Sequence, residues 1–596
     1  MRRSFPGRTV FSWLQPMRAV NIVRNPRFAV ALAAAFVFLI AGLCEASGSQ
    51  GGTIRAYKNY PRTVRVALPL IRQLAAAPQQ NRPSRRPADS GNIRWAERFP
   101  GNDLGAQINA ADADLGKESG EIDVGRPGTV ESQVSLSSNH VLHLLAATTW
   151  KAGIVVRDGN SVVGEGCASL IRLDFPTPGP FIYGKGVSNL KVSNLCAEAQ
   201  PQSAGYTLAT ANGREVEVTG CHTNNVRLAE FGSSFDVKVI GNTAVSDRVD
   251  EPSGPAVALT FTQGAVASNN IIRGFRNGFE WWGGDANPQT GQGAVTNPRG
   301  AHNLSFIGNT VTDVGAGGIW GGMGEGIVAT GNIIERCGDI CLDSEGNNSV
   351  VFANNYVKDG ANGAIATFFY NRDVLIAGNT VVSSSAARPL LRTYVSQDHP
   401  YDRDVQVVGN HFTCLDTAPC FINSVSGLPE RFVFKDNSLR NVTLDISDAN
   451  LKHIVVISGN DFLFDVVTTR VPGAIRAART YSLSPGDPGY CDISNNTVRS
   501  NVEQTPGSPA IFVFQDDPEI APLTIIEGNR LVGLHPFPVD IAVGAASRNP
   551  SVTPVFLIRD NLMGAGVFSR LDQANPRSTV KLEGNYRKDS SPLPGQ

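Results

Sequence analysis

Carboxylates and aromatic side chains are concentrated between residues 277 and 397. Five segments supply them: NGFEWWGGDANPQTGQGAVTNPRG, GGIWGGMGEG, CGDICLDSEG, NGAIATFFYN and RPLLRTYVSQ. Aromatic rings stack on the C–H faces of sugars, while carboxylates bind hydroxyl groups and transfer protons. This mixture predicts a site that binds a polysaccharide and performs acid–base chemistry on it.

A recurring asparagine indicates which of these side chains share a face. Counting along the chain from it aligns one inward row of apolar residues: Phe279, Ile319, Leu342, Ile365 and Leu391. Strand side chains alternate between faces, so the neighbouring residues point outward. One outward column then contains Glu280, Trp320, Asp343, Ala366 and Arg392. The next outward column contains Trp282, Gly322, Glu345, Phe368 and Tyr394.

Three carboxylates, on Glu345, Asp343 and Glu280, are the candidate catalytic groups. Asp343 and Glu345 are two residues apart on one strand, so their side chains are about 7 Å apart. A separation of roughly 6.5–9.5 Å suits an inverting glycoside hydrolase, and one of about 5–5.5 Å a retaining hydrolase. We predict that Glu345 is the acid and Asp343 the base, although the two roles could be exchanged. The predicted substrate-binding residues are Trp282, Trp320, Phe368, Arg392 and Tyr394, in a solvent-open groove walled by residues 281–300.

Two other functions fit the same face. A polysaccharide lyase would use Arg392 or Tyr394 as its base and often needs calcium, but the acidic body of the chain and the lack of nearby lysines argue against it. No cofactor is required for hydrolysis, and the oxygen-rich segment at 343–348 could bind calcium, although it does not match an EF-hand loop. A non-catalytic adhesin or structural solenoid would only bind glycans. Exposed acids also occur on solenoid strands simply for solubility.

The repeat that positions these residues consists of alternating apolar residues, then Gly-Asn or a near equivalent, then further apolar residues. Its asparagines are Asn242, Asn270, Asn309, Asn332, Asn355, Asn379, Asn410, Asn437, Asn460, Asn496, Asn529, Asn561 and Asn585, with Asn194 as an earlier member. Their shortest spacing is 23 residues, and the longest is 39, between Asn270 and Asn309. Two or three short strands per 23 residues, without a helical stripe, predict a parallel β-helix of about 14 coils.

These asparagines have a structural explanation. A sharp bend favours a left-handed residue such as Gly or Asn, and stacked amides can hydrogen-bond from coil to coil. We therefore expect them in one row and do not count them as ligands. Upstream, FPGNDLGAQINAADADLG predicts a short helix that covers the first coil, with Asp103 as N-cap and an apolar stripe of Leu104, Ile108, Ala111 and Leu115.

The pattern resembles the right-handed parallel β-helix proteins of the pectate lyase and polygalacturonase superfamily. The resemblance covers roughly residues 95–586, including the Asp-Leu-Gly-Ala opening and the helix at 103–116. It implies an all-β, right-handed, single-stranded parallel β-helix. That superfamily includes lyases, hydrolases, epimerases, phage tailspikes and adhesins. Its Asn-Thr-Asp, Gly-His-Gly, Arg-Ile-Lys and Trp-Ile-Asp-His signatures are absent, so no catalytic residue is carried over from it.

Charge is distributed unevenly along the 596 residues. Residues 1–93 contain 14 Lys and Arg but only Glu45 and Asp89 as acids, whereas the rest contains 38 Lys and Arg against 51 acids, a net charge of −13. An acidic body excludes sequence-independent binding to nucleic-acid phosphates. The expected partner is a polysaccharide, not a nucleic acid.

The N-terminus predicts export. An apolar run at 28–44 follows six arginines, and a cleavage site before Ser47 would leave the protein secreted or in the cell envelope. An uncleaved single-pass anchor is the alternative. The predicted organisation is a signal or anchor at 1–46, a basic linker at 47–93, a cap and first coils at 94–184, the β-helix at 185–586 and a tail at 587–596.

Cleavage would leave eight cysteines, which can form disulfides outside the cytoplasm. Cys337 with Cys341 and Cys414 with Cys420 are close enough to bridge local loops, and Cys196 and Cys221 are about one repeat apart. Buried free thiols are the alternative. The sequence has no CxxC or HExxH motif and its eight histidines are scattered, so it predicts neither a metal site of that kind nor redox chemistry.

Overall fold

The computed structural model describes residues 92–199, 205–247, 254–284, 300–368, 370–394, 403–425, 429–446, 454–468, 473–478, 490–516, 523–546, 553, 555–570, 579–587 and 591. The predicted signal or anchor at 1–46 lies outside the described residues. So do the predicted linker, except for residues 92 and 93, and the predicted tail, except for residues 587 and 591.

The chain winds through three parallel sheets in turn, and each strand pairs in parallel with its counterpart on the next coil. This arrangement is a right-handed parallel β-helix, which confirms the predicted fold. Within the described residues the first sheet has 19 strands, more than the 14 or so coils expected from the asparagine repeat. The asparagine repeat gives too few coils because the coils nearest the N-terminus lack the asparagine.

The first sheet consists of Ile93–Trp95, Gly120–Val124, His140–Leu144, Ser161–Gly164, Lys191–Ser193, Arg214–Thr219, Phe235–Ile240, Gln263–Ser268, Ala301–Ile307, Gly324–Thr330, Asn348–Ala353, Arg372–Ala377, Asp404–Val408, Arg431–Lys435, Ile454–Ser458, Tyr490–Ser494, Leu523–Glu527, Val555–Arg559 and Thr579–Glu583. The second consists of Gly128–Val130, Thr148–Trp150, Leu170–Leu173, Cys196–Ala199, His222–Asn224, Thr243–Val245, Ile271–Arg273, Thr310–Val314, Ile333–Cys337, Tyr356–Gly360, Thr380–Ser383, His411–Cys414, Ser438–Arg440, Asp461–Phe464, Thr497–Ser500, Arg530–Leu531, Leu562–Met563 and Tyr586–Arg587. The third consists of Val134–Ser135, Ile154–Val156, Ile182–Lys185, Tyr206–Ala211, Arg227–Gly232, Pro255–Thr260, Asn277–Trp282, Ile319–Gly322, Ile340–Glu345, Gly363–Phe368, Pro389–Tyr394, Cys420–Val425, Val442–Asp445, Ile475–Ala478, Pro509–Asp516, Val539–Ala546 and Phe568–Arg570. The helices are the α-helix Leu104–Leu115 and the short 3₁₀ turns Ala96–Arg98 and Gly166–Ser169.

The core consists of rows of apolar side chains that occupy equivalent positions on successive coils. In the first sheet, for example, Ile327, Val350 and Val374 lie on consecutive coils, pair in register and are buried. Inward aliphatic residues alternate with outward polar ones because side chains on a strand alternate between its faces. Consecutive coils are about 4.8 Å apart, so each outward column brings side chains from distant parts of the chain into contact range.

The repeat asparagines from Asn242 to Asn585 form one buried row, as predicted. At each step inside the row, the side-chain amide donates to the Oδ1 of the next asparagine; Asn309 Nδ2, for instance, lies 3.0 Å from Asn332 Oδ1. The left-handed bend falls on the residue before, such as Gly308 with φ 62° or Asn354 with φ 55°. The left-handed bend and the hydrogen bond from coil to coil, both expected of one asparagine, are therefore provided by two neighbouring residues.

Asn194 is not a member of the row, so that expectation was wrong. It is exposed and has φ 54°, which is the position that Gly241 occupies two coils later. On the intervening coil the row position belongs to Cys221, whose backbone N–H donates to Asn242 Oδ1 (2.9 Å). The Gly-Asn pattern does not distinguish the bend position from the row position, because asparagine also tolerates the left-handed conformation.

The predicted N-terminal helix is present and begins after Asp103. Asp103 Oδ1 accepts hydrogen bonds from Gly105 N at 2.6 Å and Ala106 N at 3.3 Å, and its Oδ2 accepts one from Ser132 Oγ at 2.6 Å. The predicted apolar stripe of Leu104, Ile108, Ala111 and Leu115 is buried in the core of the coils. The helix therefore covers the apolar end of the first coils.

We expect Asp103→Ala to lower the free energy of unfolding by about 1–2 kcal/mol, because it removes the helix cap together with the bond to Ser132. Asp114→Ala is the control, since that carboxylate makes only an exposed ion pair with Arg94 and should change stability by less than about 0.5 kcal/mol. Urea unfolding followed by circular dichroism measures both. Equal losses in the two variants would contradict the capping role.

Three disulfides occur within the described residues: Cys167–Cys196, Cys337–Cys341 and Cys414–Cys420. The two local pairs confirm the prediction, whereas Cys196 pairs with Cys167 and not with Cys221. Cys221 and Cys491 are free, buried thiols. Disulfides are typical of extracytoplasmic proteins. Within the described residues no helix is long and apolar enough to span a membrane, and the apolar run at 28–44 lies outside them.

Candidate active site

The register predicted for the third sheet is confirmed. Phe279, Ile319, Leu342, Ile365 and Leu391 pair in sequence from coil to coil, and all five are fully buried. The outward columns follow from the same pairs. The first column is Glu280, Trp320, Asp343, Ala366 and Arg392. The second is Trp282, Gly322, Glu345, Phe368 and Tyr394. We call the surface that these two columns form the acidic-aromatic face.

Aromatic side chains lie in both columns of the acidic-aromatic face and remain partly exposed. The rings of Phe368 and Tyr394 lie on adjacent coils with centroids 5.5 Å apart and planes inclined by 47°. Trp282 packs against Met323 and Tyr370 in a small cluster separate from the main core. The face thus offers apolar surfaces of the kind on which sugar rings stack.

Asp343 points outward yet is only 4% exposed. Its strand neighbours Leu342 and Ser344 face the interior, where Ser344 Oγ donates to Asn371 Oδ1 (2.6 Å). The expectation that Asp343 lines a solvent-open groove is therefore corrected: Asp343 is a buried outward residue between Trp320 and Ala366 of its column. Trp320 is its immediate neighbour in the column.

Burial makes Asp343 an unusually weak acid. Its Oδ1 is buried without a hydrogen-bond partner. Burial raises the pKa of Asp343 well above 3.8, and the negative charges of Glu345 and Asp339 raise it further. A carboxyl group in this setting retains its proton at pH values where an ordinary aspartate is ionised.

Glu345 lies two residues further along the strand and is partly exposed. Burial raises its pKa, the hydrogen bond from the Trp320 side chain opposes that rise, and the charge of Asp339 adds to it. Two carboxyls this close resist ionising together, so the pair favours one proton between them. Glu345 has a side-chain donor, Trp320, that stabilises its ionised form, whereas Asp343 has only a backbone hydrogen bond from Ser344 against two raising charges.

Glu280 belongs to a different part of the acidic-aromatic face. It is two coils from Asp343 and accepts a hydrogen bond from Asn277 Nδ2 (2.8 Å). Burial raises its pKa, whereas Asn277, Arg276 and Arg227 lower it. Its surroundings are thus cationic, and the structure does not bring it together with the Asp343–Glu345 pair.

Asp339 is a functional candidate that the sequence reasoning missed. It lies in the turn before the strand Ile340–Glu345, and its Oδ1 accepts a hydrogen bond from Asn362 Nδ2 (2.8 Å). Its charge acts on Asp343, Glu345 and Arg392. Burial lowers the pKa of Arg392, Asp339 opposes that change, and the guanidinium Nε is buried without a partner. The segment CGDICLDSEG contained Asp339, but strand alternation says nothing about a turn residue.

The oxygen-rich segment 343–348 does not converge on one point. Ser344 and Asn347 face the interior, where Asn347 Oδ1 accepts hydrogen bonds from Trp281 Nε1 (2.9 Å) and Gly324 N (2.6 Å). Asp343 and Glu345 face the opposite way. The segment therefore does not present its oxygens together to a calcium ion. Residues 285–299, most of the predicted groove wall, lie outside the described residues.

No family model matches this chain, and no curated protein matches it. Among solved structures, the A-module of a mannuronan C-5 epimerase from Azotobacter vinelandii is similar over 62% of this chain and 99% of that one, with 14% identity and a TM-score of 0.46.

Two other solved structures are similar over more of the chain. The catalytic unit of a GH87 alpha-1,3-glucanase from Streptomyces thermodiastaticus covers 85% of this chain and 71% of its own, with 12% identity and a TM-score of 0.33. The tailspike protein of E. coli bacteriophage HK620, in complex with a pentasaccharide, covers 81% and 78%, with 11% identity and a TM-score of 0.40. The fold of this chain rests on its own strand pairing.

Proposed function

We propose that this protein binds a polysaccharide along the acidic-aromatic face and cleaves it by acid–base catalysis at Asp343 and Glu345. The observation that carries the proposal is the pair of outward carboxyls with raised pKa values beside partly exposed aromatic rings. A glycosidase needs one carboxylic acid that retains its proton near neutral pH and one carboxylate that activates water. Asp339 assists by raising the pKa of both.

The environments of the two carboxyls favour an exchange of the roles predicted from sequence. Asp343 is the more buried and is opposed by two negative charges, so it retains the proton and acts as the general acid. Glu345 is partly exposed and accepts the hydrogen bond from Trp320, so it acts as the base. Their separation of about 7 Å along one strand leaves room for a water molecule, which suits inversion.

The aromatic and cationic residues bind the chain of sugars. Trp282, Trp320, Phe368 and Tyr394 provide stacking surfaces on four of five consecutive coils, and the coil between Trp320 and Phe368 carries the carboxyl pair. Glu280, whose neighbours are Asn277, Arg276 and Arg227, binds hydroxyl groups at the N-terminal end of the same face. With its disulfides, the protein acts outside the cytoplasm, either secreted or in the cell envelope.

A polysaccharide lyase is the second candidate, favoured by Arg392. Its guanidinium is partly buried with a lowered pKa, and Tyr394 lies two residues away on the same face. A lyase base must lose its proton more readily than an ordinary arginine. Against this role, Asp339 stabilises the protonated form of Arg392.

A panel of neutral and acidic polysaccharides distinguishes the candidates. Hydrolysis releases reducing sugars without ultraviolet absorbance from unsaturated products, whereas a lyase releases both. A glycan-binding adhesin would retain glycans on an affinity gel and release neither. Retention without cleavage of any glycan in the panel would contradict the proposed catalysis.

We expect a bell-shaped dependence of kcat/KM on pH, with both limbs shifted upward. The rate falls at low pH as the base gains a proton and at high pH as the acid loses one. Because burial raises the pKa of both carboxyls, both limbs should lie above the ordinary values of 3.8 and 4.5. Initial rates measured between pH 3 and pH 9 test this. A low-pH limb at or below the ordinary carboxyl range would contradict the assignment.

A further inference from the structure

A second cluster of titratable side chains lies on the first sheet, beside the N-terminal helix. Glu121 and Asp123 lie on the strand Gly120–Val124, and His143 lies on the strand of the next coil, directly opposite Asp123. One potential ligand atom from each of the three lies within 4.8 Å of the others. His143 Nδ1 is 3.0 Å from Glu121 Oε1 and 3.7 Å from Asp123 Oδ1. Within the described residues no other group of three such side chains is this close.

The Oδ1 of Asp123 is aimed into this cluster and lacks a hydrogen-bond donor. Its side chain is 9% exposed, and its Oδ1 is buried without a hydrogen-bond partner. Glu97, in the turn after the first strand, also has a buried Oε2 without a partner, and its charge acts on Asp123. Buried carboxylate oxygens are normally satisfied by donors or by cations. Two such oxygens, on carboxylates whose charges interact, are groups that a bound cation would satisfy.

The orientation of His143 fits a metal ligand. Its Nε2 lies 2.8 Å from Glu165 Oε1, on the coil beyond, so the ring can donate its N–H there and present the Nδ1 lone pair to Glu121 and Asp123. Histidines that bind metals usually donate their other ring nitrogen to a carboxylate in this way. Glu121 and His143 are partly exposed, which leaves an entry path from solvent.

The electrostatics of Asp123 agree with this geometry. The negative charges of Glu121 and Glu97 both act on the carboxylate of Asp123. A bound divalent cation would relieve this repulsion, because it neutralises the carboxylates that now face one another.

We propose that Glu121, Asp123 and His143 bind one divalent transition-metal ion and that Glu165 orients the histidine. Zn²⁺ is the ion used to test the site. One imidazole nitrogen with carboxylate oxygens is a donor set that Zn²⁺ accepts, whereas Ca²⁺ and Mg²⁺ prefer oxygen alone. The ion would join two consecutive coils where the helix Leu104–Leu115 closes the end of the core. Its role is structural and is independent of the acidic-aromatic face.

The competing arrangement contains no metal. A protonated His143 could be held between Glu121, Asp123 and Glu165 by ion pairs alone. The two arrangements differ in their response to chelators and to added metal. They differ also in stoichiometry, since only the metal site takes up an ion.

The test uses the full chain, dialysed against a chelator and titrated with Zn²⁺ in a calorimeter. We expect one Zn²⁺ per chain and a higher melting temperature on its addition. His143→Gln and Asp123→Asn should each weaken Zn²⁺ binding by more than about 100-fold, and Glu165→Gln by about 10- to 100-fold. Glu131→Gln is the matched control, because that acid lies at the same end but pairs only with Lys151 on the exposed surface.

Circular dichroism establishes that each variant is folded before titration. Asp123→Asn removes a buried charge, so it should fold without metal. Absence of stoichiometric Zn²⁺ binding by the wild type, or equal binding by the variants and the wild type, would overturn the proposal. Preference for Ca²⁺ over Zn²⁺ would overturn it too.

Discussion

We expect Asp343→Asn and Glu345→Gln each to lower the rate of glycan cleavage by about 100-fold to 10,000-fold. Each substitution keeps the size of the side chain and removes its ability to transfer a proton. The stacking residues Trp282 and Phe368 are untouched, so glycan binding should change little. The rate constant kcat should therefore carry the loss, while KM stays close to that of the wild type. Initial rates and affinity measurements on the preferred substrate separate the two parameters.

The Asp343→Asn variant should lose activity while gaining stability. The pKa of Asp343 is raised in the folded state, so its contribution to stability is fully present below the unfolded pKa near 3.9. That contribution is lost as the pH rises through the folded pKa, because the charge must then be buried. Asparagine carries no charge, so the variant should be the more stable protein at neutral and alkaline pH. Thermal melting over a pH series measures this difference, and an inactive but more stable variant would exclude misfolding as the cause of lost activity.

Asp445→Asn is the matched control for activity. Asp445 lies in the same outward column, four coils beyond Asp343, and pairs with Arg476 at 3.5 Å. It lies outside the proposed catalytic pair, so the control should retain activity. Full activity in both Asp343→Asn and Glu345→Gln on the true substrate would refute the proposed site.

The sequence predicted the columns of the third sheet correctly because the repeat supplies a fixed reference. From Asn309, Asn332 and Asn355 the inward apolar residue lies ten positions on, and the alternation of faces follows from it. For Phe279 and Leu391, nine and twelve positions after their asparagines, the apolar pattern of the strand was also needed to give the register. Phe279, Ile319 and Leu342 therefore align as expected. The fold was predictable for the same reason, since each coil repeats the constraint.

The burial of Asp343 could not be predicted in this way. Alternation determines the side of the strand on which a residue lies, whereas its exposure depends on the side chains of the coils before and after. Trp320 precedes Asp343 in the column, and its rotamer is set by three-dimensional packing. Asp339 could not be predicted because it lies in a turn, where side chains do not alternate regularly between two faces.

The cluster at His143 shows a different limit. Glu121 and Asp123 lie two residues apart on one strand, and His143 follows Asp123 by 20 residues on the next coil. Only pairing in the first sheet brings Asp123 opposite His143. The early coils lack the repeat asparagine, so their register could not be counted from the sequence. In this part of the chain, therefore, neither a ligand motif nor the asparagine repeat indicates that the three side chains meet.

Asn309→Ala should be strongly destabilising, because the buried amide row has no substitute for its bonds. Asn309 Nδ2 donates to Ala267 O and Asn332 Oδ1, both at 3.0 Å. Its Oδ1 accepts from Asn270 N at 3.0 Å and Asn270 Nδ2 at 2.9 Å. Alanine removes all four bonds and leaves the backbone N–H of Asn270 buried without its acceptor, while the Asn270 side-chain amide keeps only its bond to Val239 O. We expect a loss of about 3–5 kcal/mol in the free energy of unfolding.

Asn194→Ala provides the contrast, because Asn194 shares the repeat's Gly-Asn-like signature but lies outside the row. Asn194 is exposed and has φ 54°, so its substitution costs only the strain of a left-handed alanine, about 1 kcal/mol. Urea unfolding of the two variants under identical conditions makes the comparison. A loss at Asn194 as large as that at Asn309 would show that the asparagines stabilise the coils through their backbone conformation. A large loss confined to Asn309 would show that the continuous amide row is what joins one coil to the next.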